Sequence, residues 1–138
     1  MTASGDLPMD TMMMDMMKTM PMAGMGMDMA MMQKCIEACS AAEMAATMCA
    51  DSGDGMAKCS SMCMNMADVA MATMRMMMRP MGLDPMVMSS MMTTCMDMGR
   101  ACSAECKMHM DSDHCRICAM ACDAMVEACA AMMAAMAA

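Results

Sequence analysis

The stretch Ala101–Cys129, ACSAECKMHMDSDHCRICAMACDAMVEAC, constrains this chain more than any other. It carries Cys102, Cys106, Cys115, Cys118, Cys122 and Cys129 together with both histidines, His109 and His114. Spacings of three, four and seven place side chains on one helical face. At 100° per residue, Cys115, Cys118, Cys122 and Cys129 share an arc of roughly 60°, and Cys102 and Cys106 share another. The polar break Met110-Asp111-Ser112-Asp113 separates the two faces. The stretch therefore predicts a helical hairpin whose inner faces carry thiols. One or two such cysteines would read as small buried hydrophobes. A line of them down two adjacent helices asks for more than packing.

Composition says what the rest of the interior is made of. The 138 residues include 39 Met and 12 Cys, and no Phe, Trp or Tyr. Branched aliphatics are confined to Leu7, Ile36, Val69, Leu83, Val87, Ile117 and Val126. The core must be Met, Ala and Cys, and Met is too flexible to specify packing by itself. Bound metal ions would fix such a core. Abundant Ala and Met with few β-branched residues indicate an all-α fold. Four helices are expected, over about 28–50, 56–79, 85–109 and 113–137. Gly53 and Gly55 separate the first two, Pro80 and Gly82 the next. Asp84 caps the third with Pro85 at its first position, and Ser112 or Asp111 caps the fourth. Matched lengths of roughly 35 Å and short loops give an antiparallel up-down four-helix bundle. Residues 1–27 form a Met-rich amino-terminal arm or short extra helix, started by Asp10 and broken by Pro21, Gly24 and Gly26.

Each expected helix carries a sulfur stripe. The first presents Met31, Met32, Cys35, Cys39, Ala42, Ala46 and Cys49 within an arc of roughly 100°. The second presents Met56, Cys59, Cys63, Met66, Ala70, Met74 and Met77. The third presents Met88, Met91, Met92, Cys95, Cys102 and Cys106, with Met98 and Gly99 at its margin. The fourth continues past its cysteines through Met125, Met133 and Met136. Thiolate and thioether ligands select soft metals. Residues four apart on a helix have Cβ atoms about 5–6 Å apart, so both sulfurs reach one ion. Such pairs are Cys35 with Cys39, Cys59 with Cys63, Cys102 with Cys106, and Cys118 with Cys122. Cys49, Cys95, Cys115 and Cys129 need partners on other helices or from Met.

Several function classes are set aside. A net charge of −8 argues against nucleic acid. A disulfide scaffold is loop-rich, whereas these cysteines keep helical spacing, and a bridge between residues four apart on a helix is strained. No secretory leader is evident in residues 1–30. Asp123 and Glu127 argue against a membrane span in the last helix. No nucleophile–base or paired-carboxylate arrangement suggests an enzyme. The remaining readings are a metal store, a carrier of another soft or thiophilic cargo, and a Met-surfaced binding module for apolar helices. Zinc sites make little use of Met, and iron–sulfur clusters need four convergent thiolates. The binding module leaves the aligned cysteines without a role. The Met content is equally compatible with a natural or an engineered chain.

Residues 33–130 resemble the cysteine-rich four-helix-bundle copper-binding proteins, which include the bacterial copper storage proteins. The resemblance is carried by QKCIEAC at Gln33–Cys39 and by ACSAECKMHMDSDHCRICAMAC at Ala101–Cys122. It implies multiple Cu(I) ions held along a thiol-lined core and a homo-oligomer such as a tetramer. A copper chaperone or a client cuproprotein is the implied protein partner, and His109 and His114 become entry ligands beside the last turn. Ala42, Ala46, Met66, Ala70, Met92 and Gly99 stand where relatives often carry Cys, so the ion number does not carry over. Ag(I) is the alternative cargo. Thioethers neither need deprotonation nor form disulfides, so a periplasmic or otherwise exported location is favoured over the cytoplasm. Met44, Met48, Met64, Met71, Met78 and Met96 lie off the stripes and are expected at a subunit contact or as an extension of metal binding outside the tube.

Overall fold

The computed structural model describes residues 11, 12, 15, 16, 29–53 and 57–137. Four long helices account for most of these: α1 Met29–Asp51, α2 Ala57–Met77, α3 Pro85–Cys106 and α4 Asp113–Ala137. Short 3-10 turns at Pro80–Gly82 and Lys107–His109 follow α2 and α3. Each helix packs on its two neighbours in the order α1, α2, α3, α4 and back to α1. The result is the all-α, antiparallel four-helix bundle that matched helices and short loops require. Among the described residues there is no strand.

Local chemistry sets the helix ends. Gly53 adopts φ 74°, a left-handed conformation that ends α1 at little cost. The Asp84 carboxylate accepts from the amides of Met86 (2.9 Å) and Val87 (3.1 Å), and Pro85 supplies the preset first position of α3. The Ser112 hydroxyl accepts from the Cys115 amide at 3.3 Å. Two boundaries differ from expectation. The regular part of α2 stops at Met77, where the amides of Met78 and Arg79 turn toward the carbonyls of Met74, Arg75 and Met76 before Pro80. The α-helical part of α3 stops at Cys106, and its last turn tightens to 3-10 geometry through His109. Of the amino-terminal arm only Thr11, Met12, Asp15 and Met16 are described, all helical. The rest of the arm, and Met56, lie outside the described residues.

The core is stacked in layers. At the end holding the start of α1 lie Met32, Ile36, Met77, Met88, Met92 and Met132, all buried. Next come Cys35, Cys39, Cys95, Cys129 and Thr73. A sulfur-poor collar follows, made of Ala42, Ala46, Ala70 and Gly99 with Met66 and Met125. The opposite end holds Cys49, Cys59, Cys63, Cys102, Cys106, Cys115, Cys118 and Cys122.

Three positions depart from the expected stripes for one reason: a 3.6-residue period alternates steps of three and four. Thr73, not Met74, takes the inner place on α2, and its hydroxyl is satisfied by donating to the Val69 carbonyl at 2.7 Å. Met132, not Met133, is buried on α4, while Met133 sits at the edge where Thr93 Oγ1 approaches its sulfur at 3.9 Å. Gly99 is interior rather than marginal. Helix α4 has the length and apolar content of a membrane span. Its sulfur face is nevertheless buried by the other helices, as in any core helix.

Outside the core, Asp123 ties α4 to α3. It accepts from the Ser103 hydroxyl at 2.6 Å and pairs with Lys107 at 2.9 Å. These partners, the Ser103 hydroxyl first, hold its carboxyl below the usual range.

Gly99 gives the clearest packing test. A Cβ there would lie 2.7 Å from Val126 Cγ2 and 2.8 Å from Met125 Cε, so these side chains already fill the space. Removing a helical glycine gains about 1 kcal/mol of propensity, while overpacking costs about 1–3 kcal/mol. Gly99→Leu, whose branch must displace both neighbours, is expected to lower unfolding stability by about 1–3 kcal/mol in a urea titration. An unchanged or raised midpoint would contradict this packing.

Candidate metal centre

All twelve cysteines are free thiols inside the bundle, none more than 1% exposed. Helical spacing brings them inward, and the four-helix arrangement closes them on one another. Cys35 and Cys129 sulfurs lie 3.3 Å apart across α1 and α4. Cys49 and Cys59 approach Cys115 at 3.6 and 4.0 Å. Cys63 contacts Cys102 and Cys106 at 3.8 Å and Cys118 at 3.9 Å, and Cys102 contacts Cys118 at 3.9 Å. Cys95, without an intrahelical thiol partner, donates to the thioether of Met125 at 3.6 Å.

Three groups have their sulfurs mutually within 4.8 Å: Cys49, Cys59, Cys63 and Cys106; Cys63, Cys102, Cys106 and Cys118; and Cys35, Cys39 and Cys129. The first two share Cys63 and Cys106 and so form one continuous cluster. Two metal–sulfur bonds of roughly 2.3 Å span at most about 4.6 Å, so these sulfurs can converge on shared ions with small side-chain rotations.

The hydrogen bonds polarise the thiols unequally. Cys129 and then Cys39 draw Cys35 down to about 5, while Cys39 is pushed up, chiefly by Cys129. Hydrogen bonds from Cys102 and Cys118 draw Cys122 down to about 5, and Cys118 is pushed up, chiefly by Cys102. Cys106 is lowered and Cys102 raised by their mutual contact first of all. Cys63 is lowered, chiefly by Cys102. Burial comes first in raising Cys49 and Cys59, and Cys129 first in raising Cys95 to about 11. All four i,i+4 pairs thus combine a ready thiolate with a lowered pKa and a protonated neighbour.

The methionines divide by depth. Met32, Met66, Met77, Met88, Met92 and Met125 are fully buried. Met31, Met74, Met91, Met98 and Met133 are half-buried, the last four of these packed against the core. Met132 is the buried sulfur that the sequence reading passed over, and stepping three residues from Cys129 would have found it.

Both histidines stand at the thiol-rich end. His109 lies within 3.1 Å of a Glu105 carboxylate oxygen through Nε2, and His114 is half-buried at the start of α4. Glu105 is itself only 8% exposed and is paired with Lys58 at 3.7 Å. Glu105 fixes the ring of His109 and leaves Nδ1 as its other ligating atom. The sequence reading did not single out Glu105 or Lys58. The i,i+4 spacing of Glu105 and His109 was the available signal.

Residues 25–134 match the family model described as copper storage protein. Among curated proteins none matches. The copper storage protein of Streptomyces lividans, solved loaded with 10 copper equivalents, is 33% identical, with a TM-score of 0.82 over 88% of this chain and 98% of that one. A histidine-to-alanine variant of that protein is 34% identical, with a TM-score of 0.76 over 80% and 98%. A five-copper form, described as a cytosolic copper storage protein from the same organism, is 34% identical, with a TM-score of 0.72 over 76% and 93%.

Because Cys39, Cys49, Cys59, Cys95, Cys102 and Cys118 are all raised, they hold their protons at neutral pH. Metal must displace those protons. Loading is therefore expected to acidify a weakly buffered solution and to weaken as pH falls. Proton release followed with an indicator dye during Cu(I) addition at pH 7.5 checks this. Loading without proton release would mean that the raised thiols take no part and only the lowered thiols and the thioethers bind.

Proposed function

The chain belongs to the copper storage protein family, and from that premise we propose how it binds and stores multiple Cu(I) ions along its bundle interior. The observation that carries this is the set of buried thiols with sulfur separations of 3.3 to 4.0 Å. Cu(I) is soft and suits such sites.

The ligands we propose are the twelve cysteines, with Met125 beside Cys95 and the buried methionines as neutral donors. Thiolate pairs give each monovalent ion an excess negative charge, which is costly in an apolar interior. A thioether adds a ligand without adding charge. His109, steadied by Glu105, and His114 serve as entry ligands at the thiol-rich mouth. This is a role in storage and exchange, with no catalytic residue assigned.

Copper would be received from, or passed to, a copper chaperone or a client cuproprotein. A homo-oligomer would use the outer faces of α1 and α2, where Met44, Met48 and Met64 are 58%, 60% and 60% exposed. As for compartment, the exported location favoured by the methionine argument finds no support in the relatives, one of which is described as cytosolic. The cytoplasm keeps thiols reduced, and that suits a store whose ligands are free cysteines.

Cu(I) titration against a competing chelator, with copper counted by elemental analysis, tests the storage reading. Several tightly held ions per chain are expected. One ion or none would defeat it. Replacing all twelve cysteines by Ser is expected to abolish most of the binding, with any remainder measuring the thioether share.

A further inference from the structure

The sulfur contacts do not run unbroken through the bundle. Every one of those described joins members of the same set. Cys35, Cys39, Cys95 and Cys129, with Met125, form the smaller set. The other cysteines form the larger. Between them lies the collar of Ala42, Ala46, Ala70 and Gly99.

The gap is too wide for one ion. Cys39 to Cys49 on α1 is about 15 Å along the axis, and Cys95 to Cys102 on α3 and Cys122 to Cys129 on α4 are each about 10 Å. A single ion joins sulfurs no more than about 4.6 Å apart. The collar's two sulfurs are thioethers. Met125 is turned to the smaller set, 3.6 Å from Cys95, and its Cε occupies the space that Gly99 leaves empty. That leaves Met66 as the other sulfur in the collar. The rest is methyl and backbone, through which an ion shedding its ligands would pass only at high cost.

We propose that the smaller set is a separate Cu(I) chamber, insulated from the larger one by the alanine–glycine collar and filled from the opposite end of the bundle. The inference rests on the storage reading. The approach to this chamber is lined by thioethers: Met32, Met77, Met88, Met92 and Met132 are buried at that end, and Met86 beyond them is 81% exposed. Neutral thioethers pass a monovalent ion inward without requiring deprotonation. The histidines stand at the far mouth and serve the larger chamber. A chain of this design holds two copper pools that load and release independently.

The test compares the full chain with two four-site variants, each checked for native helicity by circular dichroism before Cu(I) is added. Cys35→Ser/Cys39→Ser/Cys95→Ser/Cys129→Ser removes the smaller chamber. Cys63→Ser/Cys102→Ser/Cys106→Ser/Cys118→Ser disables the larger one. Against bathocuproine disulfonate, the first variant is expected to lose only the smaller chamber's ions and to hold the remainder within about twofold of the native affinity, as independent sites do. The second is expected to keep the ions of the smaller chamber. A loss of about tenfold or more in the affinity of the remaining ions in the first variant, or no Cu(I) in the folded second variant, overturns the proposal. A bridging variant, Ala42→Cys/Ala46→Cys, keeps every native ligand and places a thiol pair in the collar. It is expected to merge two loading phases into one, and a native chain that already loads in one phase contradicts the collar. If the native chain binds one ion or none, the storage reading itself fails. If it binds many but the chambers are not separable, only the present inference fails.

Discussion

The whole structure depends on sulfur facing inward at helical spacing. A bundle of this length normally closes on Leu, Ile, Val and aromatic side chains whose shapes fix one packing. Here those residues are nearly absent from the interior, with Ile36 the exception. Met fills space without demanding a shape, and Cys and Ala are small. The backbone arrangement is set by loops and caps, by Gly53 and Pro85, and by the apolar character of the faces. What remains to be fixed inside is the position of the sulfurs, and ions that bind several helices at once fix it. Metal affinity then adds directly to folding free energy.

The same interior raises an electrostatic difficulty that its composition also resolves. Thiolates bring negative charge into a dry tube, and the chain as a whole is already at −8. The unequal thiols divide the load. Cys35, Cys63, Cys106 and Cys122 are the ready thiolates, and their raised neighbours ionise only as an ion arrives. Met125 next to Cys95 shows the second device, a donor that adds no charge. At the thiol-rich mouth, Glu105 brings a buried carboxylate, balanced by Lys58 and holding His109.

Much of this was legible from residue spacing. The cysteine periods specify helices and inward faces, Pro80, Gly82 and Pro85 mark a boundary, and short loops dictate the up-down order. The family resemblance rested on the same Ala101–Cys122 run. What spacing could not give was depth along the tube. The cross-helix partners of Cys49, Cys95 and Cys129 depend on the register of neighbouring helices, which no single stripe contains. Hydrophobicity also misdirected the reading at Thr73, because a threonine that donates to its own helix carbonyl is as content inside as a methionine. Gly99 looked marginal because its importance lies in the space it yields to Met125.

The central claim is that interior sulfur holds the copper. Copper K-edge X-ray absorption of the loaded protein addresses it most directly. The expected spectrum is that of Cu(I) in a shell made almost wholly of sulfur at roughly 2.3 Å, the bond length of comparable metal–thiolate sites. A shell dominated by nitrogen or oxygen would place the ions on the surface and contradict it.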